Sequence, residues 1–168
     1  MKKDKKWDGM SVYDNHVAFW GGALSNFYPC KIRIDEQEYK SSEQYFMAMK
    51  ALHFNDEESY EKILASNTPK EAKAIGRQVK GFDADEWMKV CEEHMHDGVF
   101  AKFKQNEDLK EFLLSDEFEG KGFVEGSPVD RIWGVGIHYE SPNIDDESQW
   151  NGLNLLGKVL DRVREELK

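Results

Sequence analysis

Residues 41–50 read Ser-Ser-Glu-Gln-Tyr-Phe-Met-Ala-Met-Lys, and they decide what kind of chain this is. Ser41 and Gln44 have capping-box spacing, so a helix starts here and runs to about Phe54. Beyond Gln44 it is almost continuously apolar, from Tyr45 through Met49 to Ala51 and Leu52. A helix apolar on so much of its circumference belongs inside a core, so its charged exceptions are informative. Glu43 and Lys50 are those exceptions. They lie seven residues apart, two helical turns, and leave from one face with Phe46 and Met47 between them. Such a pair is either solvated surface or the chemical end of a pocket.

Working outward, a second helix is expected near 57–65. The third has a clear start in Thr68-Pro69-Lys70-Glu71, which offers a cap, a first-turn proline and a capping-box glutamate, and it runs to about Val79. Asp83 opens a long amphipathic segment to about Gln105, with Trp87, Val90, Cys91, Met95, Val99 and Phe103 lining one side. A shorter helix follows near 107–115, and a last one runs from Asn151 to about Glu166.

Strands read at both ends. Residues 17–20, 30–34 and 38–40 are short extended segments, with Asp35-Glu36-Gln37 closing a hairpin between the last two. Residues 119–140 read as two short strands around a turn at Gly126-Ser127-Pro128. Residues 1–16 are polar and read as a flexible lead-in, which leaves one domain over 17–168. Helices in the middle with strands near both ends make the fold class α+β, a helix-dominated domain with a small sheet of short strands.

Composition narrows the function. The chain has 168 residues and a formal net charge of -10, which argues against a broad phosphate-gripping surface for long nucleic acid. Five Trp, six Tyr and ten Phe suit stacking against a flat ligand beyond what a core consumes. Cys30 and Cys91 are far apart and form no Cys-x-x-Cys, so neither a zinc knuckle nor a disulfide framework is indicated. The basic N-terminus has no apolar stretch behind it, and no run approaches the ~20 apolar residues of a membrane helix. A cytoplasmic location without membrane contact is the expectation.

Other motifs have plain alternatives. Asp130 and Trp133, in SPVDRIWG, form an acid–aromatic pair at a turn, and Asp130 could equally cap that turn or pair with Arg131. Ser25 and Asn26, in GGALSNFYPC, could simply bond the loop backbone. His94 and His96 are two apart on a helix and point to different sides, which does not suit chelation of one metal. Gly134 and Gly136 lack the third glycine and following helix of a dinucleotide fingerprint. Neither a phosphate loop nor a GxSxG elbow is present.

Five blocks in order, FWGGALSNFYPC (19–30), YKSSEQYFMAMKAL (39–52), EAKAIGR (71–77), SPVDRIWGVG (127–136) and WNGLNLLGKVLDRVR (150–164), together resemble the NADAR domain family. That resemblance spans nearly the whole chain. It implies an N-glycosidase that cleaves between ribose and a nitrogen, with ADP-ribose on guanine in nucleic acid as the favoured substrate. Phosphorylated riboflavin-pathway intermediates are the alternative, and a non-catalytic module that binds NAD or ADP-ribose is the reading from another class. The resemblance further implies Glu43, Lys50 and Asp130 as catalytic. It implies Phe19, Trp20, Ser25, Asn26, Phe27, Tyr45, Arg77, Trp87, Trp133, Gly134 and Asn154 as substrate-binding. No cofactor and no metal is called for. The partner is an ADP-ribosyl nucleotide, with transient contact to modified DNA or RNA, to which Lys2, Lys3, Lys5 and Lys6 could contribute if they are not merely a solubilising tail.

The chemistry wants these residue types. Breaking a ribosyl C–N bond passes through a state positive at the sugar, while the departing nitrogen needs a proton. A carboxylate such as Glu43 stabilises that charge or activates water or a hydroxyl. Lys50 either protonates the leaving base as a cation or attacks the anomeric carbon as a neutral amine. The second route needs its pKa well below ~10.4, which burial beside Phe46 would promote.

Overall fold

The computed structural model describes residues 4–168. Its strands are β1 (Met10–Val12), β2 (His16–Phe19), β3 (Ile32–Ile34), β4 (Gln37–Tyr39) and β5 (Gly122–Glu125). Its helices are α1 (Ser42–His53), α2 (Glu57–Ala65), α3 (Pro69–Gly76), α4 (Ala84–Gln105), α5 (Glu107–Leu113) and α6 (Leu155–Leu167). The architecture is α+β, six helices with little sheet, as the sequence predicts. Among the described residues, no helix is long and apolar enough to cross a membrane. The chain forms two compact units, one from the residues up to Ser25 with Glu107–Lys168 and one from Asn26–Asn106.

The Asn26–Asn106 unit is built around α1, which packs against α2, α3 and α4. Ser41 sits in extended conformation and its hydroxyl accepts the Gln44 N–H at 3.0 Å, so the capping spacing works as read. Everything from Ser41 to Ala48 is buried, Glu43 included. Gln44 is satisfied there by accepting from the Lys40 N–H and donating to the Ile63 carbonyl. Thr68 and Asp83 cap α3 and α4 in the same way. Along α4, Trp87, Cys91, Met95, Val99 and Phe103 are the buried stripe. Gly98 lets the helix approach α1, because an added Cβ would stand 2.7 Å from Tyr45 Cδ1. The β3–β4 hairpin turns through Asp35 and Glu36, both at positive φ.

The other unit holds the three-stranded sheet, ordered β1-β2-β5, antiparallel between β1 and β2 and parallel between β2 and β5. Val17, Ala18, Phe19, Phe123 and Val124 form its centre, with Leu156, Val159, Leu160 and Val163 of α6 also in the core. Two sequence expectations change here. Where residues 1–16 read as a flexible lead-in, Lys5–Trp7 form a helical turn and Met10–Val12 pair with β2, fixed by Trp7 edge-on against Phe112 and Phe118. Lys6 pairs with the exposed carboxylates of Asp4 and Asp108, at 3.5 and 3.7 Å, whereas Lys2 and Lys3 lie outside the described residues. Second, no strand follows the Ser-Pro turn. The carbonyls of Arg131, Ile132, Trp133, Gly134 and Val135 accept instead from Leu153, Leu155, Leu156, Asn154 and Asn151, so this backbone is spent on the entry to α6.

Candidate active site

In the Asn26–Asn106 unit, the first turn of α1 is set by Asn26. Its carbonyl accepts the Glu43 N–H at 3.2 Å, its Oδ1 accepts the Ser42 hydroxyl at 2.9 Å, and its Nδ2 donates to Met95 Sδ. Asn26, 8% exposed, therefore positions the backbone that carries Glu43. Glu43 is itself only 7% exposed. Lys50, two turns on, is partly buried, and its amine stands 4.4 Å from the centre of the Phe82 ring.

Burial pushes the Lys50 amine below the ordinary lysine range, the negative charge of Glu43 pulls it back, and the Arg77 guanidinium adds to the lowering. Burial is the largest of the three. Arg77, distant in sequence from the α1 pair, thus joins Glu43 and Lys50 in one electrostatic group at the junction of α1 with the C-terminal cap of α3. Arg77 is exposed there, free to meet an anion.

Trp87 lies beneath, 7% exposed, against Phe46 at 5.2 Å, Phe54 at 6.2 Å and the stacked ring of His94 at 5.7 Å. Tyr45 is also in the core, edge-on to Tyr39 at 5.1 Å, and burial pushes its hydroxyl up to about 12. Phe27, by contrast, is 39% exposed, with the Lys73 amine 5.5 Å from its ring centre. Two partners here, Phe82 and Lys73, escape sequence reading. Phe82 is one aromatic in a polar turn after Gly81, and Lys73 is one of many surface lysines.

In the other unit, Phe19 is wholly buried at the end of β2, while the next residue, Trp20, is 46% exposed and edge-on to His138 at 5.5 Å. Ser25 closes the turn, its N–H donating to the Gly22 carbonyl. Gly22, at φ +69, admits no side chain, since a Cβ would stand 2.5 Å from the Lys6 carbonyl oxygen. Asp130 Oδ1 accepts the N–H groups of Ile132 and Trp133, both at 2.9 Å, so the carboxylate orders the loop that carries the Trp133 ring. Gly134 is packed against the Asp130 and Glu125 carbonyls, and Asn154 is 3% exposed and bonded to β5.

One grouping of metal-ligating side chains occurs among the described residues. Glu93, His96 and Asp97 on α4 each bring an atom within 4.8 Å of the others. His94 turns the other way onto Trp87, as the two-residue spacing predicts.

Residues 16–168 match the family model of the NADAR domain. The chain belongs to this family. It is 43% identical over 129 residues to the "N-glycosidase R617" of Acanthamoeba polyphaga mimivirus, covering 77% of this chain and 75% of that one. It is 32% identical over 146 residues to the "N-glycosidase YbiA" of Escherichia coli, covering 87% and 81%. The NMR structure of E. coli YbiA superposes with a TM-score of 0.74 at 28% identity, covering 99% of this chain and 93% of that one. A "Riboflavin biosynthesis protein VVA0006" of Vibrio vulnificus is 34% identical over 148 residues, 88% of this chain but 36% of that protein. The match to the NADAR model takes in Glu43, Lys50 and Asp130 together with every substrate-binding position that the sequence suggests.

Proposed function

We propose that this protein is an N-glycosidase that hydrolyses the bond between ribose and a nitrogen, that its substrate is ADP-ribose on guanine in nucleic acid, and that Glu43 and Lys50 carry the chemistry. The observation that carries the reading is the acid–amine pair on α1, a carboxylate 7% exposed two helical turns from a partly buried amine. Relatives named N-glycosidases support the bond type. The exposed Arg77 supplies a cation for a phosphate, and the exposed Phe27 supplies a face for a base. With a net charge of -10, recognition rests on the modified nucleotide, and the attached DNA or RNA is touched only in passing.

The neutral Lys50 amine attacks the anomeric carbon as the C–N bond breaks. The bond electrons leave with the base nitrogen, which takes a proton. The nitrogen of Lys50 then gives up one proton, and the ring oxygen takes one as its bond to the anomeric carbon breaks, leaving a protonated Schiff base that water hydrolyses to return the amine and free ADP-ribose. Glu43 stabilises positive charge at the sugar and shuttles protons between these steps. Asp130, through its two N–H contacts, holds the 130–133 turn in shape for the Trp133 ring.

The test is release of ADP-ribose from an ADP-ribosylated guanine oligonucleotide, alongside borohydride reduction during turnover. Expected are release by the native protein, a fall of ~100-fold or more for Glu43→Gln and Lys50→Met, and a reduced adduct on the peptide holding Lys50. Binding without release would replace this reading with that of a non-catalytic module. A second reading has one specific support, the relative named a riboflavin biosynthesis protein. Turnover of a phosphorylated ribosylamino pyrimidine, with the oligonucleotide left intact, would select it.

A further inference from the structure

Phe82 stands outside every motif that the sequence singles out, yet it makes the closest aromatic contact to the Lys50 amine, 4.4 Å from ring centre to nitrogen. It sits in the turn between α3 and α4, after Gly81 at φ +78. Its ring is 45% exposed on one side and braced on the other by Phe54, edge-on at 5.3 Å and 70°. Phe54 in turn rests on Trp87. A large apolar side chain half in water is common. One held by a chain of aromatic contacts with its face toward a partly buried amine is placed.

We infer that Phe82 is the positioning residue that sets the protonation balance of Lys50, shielding the amine from water with its bulk while steadying the ammonium with its ring face. The inference rests on the proposed role of Lys50 for its meaning in catalysis but not for its physics. The two effects have opposite signs. Removing water from around an amine favours the neutral form. The negative face of an aromatic ring attracts the cation and favours the charged form. A leucine at this position keeps most of the bulk and loses the ring face. An alanine loses both.

The other groups that act on the amine are Glu43, from α1, which favours the charged form, and Arg77, from the cap of α3, which opposes it. Both stay in place in either variant. His53 and His94 lie further along the same aromatic cluster, against Trp87. Because burial is the largest influence on Lys50, losing the cover should outweigh losing the ring face.

The test is competitive acetylation of Lys50 across pH 6–11, read by mass spectrometry on the folded protein, with Lys89 on the exposed face of α4 as internal reference. Phe82→Leu is expected to move the Lys50 midpoint down by about half a pH unit, the size of a partly exposed cation–π contact. Phe82→Ala is expected to move it up by a similar amount or more, and Phe82→Tyr is expected to leave it close to native. Movement of both variants in the same direction, or of neither, would overturn the inference. Circular dichroism and the Lys89 midpoint establish that each variant is folded. The acidic limb of ADP-ribose release is expected to follow the same midpoints. If acetylation moves as stated and the rate profile does not, Phe82 still tunes Lys50, and it is the catalytic role of Lys50 that fails.

Discussion

Asn154 is bonded to β5 as a neighbouring strand would be: its Oδ1 accepts the Glu125 N–H at 3.0 Å and its Nδ2 donates to the Phe123 carbonyl at 3.0 Å. Its backbone is left-handed, φ 53, so that the chain can turn into α6. Gly157 makes room, since a Cβ there would stand 2.1 Å from the Phe123 carbonyl oxygen. The Gly-x-Asn-x-Leu-Gly pattern is therefore a joint between strand and helix.

That joint sets the first prediction. Asn154→Ala leaves two buried backbone groups without partners and puts an alanine in a conformation that asparagine tolerates better. A loss of about 3 kcal/mol in urea unfolding is expected. Asn154→Gly should lose less, because the left-handed backbone then carries no strain. Equal losses for the two would mean that strain plays no part, and a loss below about 1 kcal/mol would mean the joint is unimportant.

The second prediction concerns Asp56, which caps α2 and also reaches the turn before α4. It accepts from the Ser59 N–H at 3.0 Å, the Ser59 hydroxyl at 2.6 Å and the Lys80 N–H at 2.9 Å. These bonds to the charged form, the Lys80 N–H first, hold its carboxyl down at about 2. A carboxyl lowered on folding contributes stability that is complete above its unfolded value of ~3.9 and is lost as pH falls through the folded value. The melting-temperature gap between native protein and Asp56→Ala should thus be constant above pH 5 and shrink between about pH 4 and pH 2. A gap that stays flat down to pH 2 would show that the carboxylate's charge is irrelevant.

How much of this was legible depends on where the cause lies. Ser41, Thr68 and Asp83 each cap a helix that the sequence predicts, because a cap is satisfied by atoms three residues away. The burial of Glu43 follows from the apolar run around it. β1 was not legible, since Met10–Val12 is an unremarkable tripeptide until β2 pairs with it. The missing strand after Pro128 has the same origin: Gly-rich, aromatic residues read as extended, but their carbonyls are claimed by residues 151–156. Phe82 and Lys73 were illegible for a related reason, as nothing near them in sequence signals Lys50 or Phe27.

Lys102 carries the last prediction. A lysine is ordinarily kept in water, yet this one, on α4, is 1% exposed, with its amine near the rings of Phe103 and Tyr28. Burial pushes the amine down to about 8, and Cys30 opposes this only in part. Between about pH 8 and the unfolded value near 10.4, the unfolded chain holds a proton that the folded chain has released, so stability rises with pH across that window. Below pH 8 the folded protein carries the full cost, on the order of 3 kcal/mol. Lys102→Met keeps the length of the side chain and removes the charge, and replacing a buried charge by an apolar group of similar volume is commonly stabilising. The variant should therefore unfold at higher urea than the native protein at pH 7, and its advantage should shrink steadily from pH 8 to pH 10.5. Asp161 and the remaining titrating groups are common to both proteins and cancel in the difference. An advantage that does not change with pH would place the effect in packing, and a variant less stable than native at pH 7 would show that the bonds made by the Lys102 amine outweigh the cost of burying it.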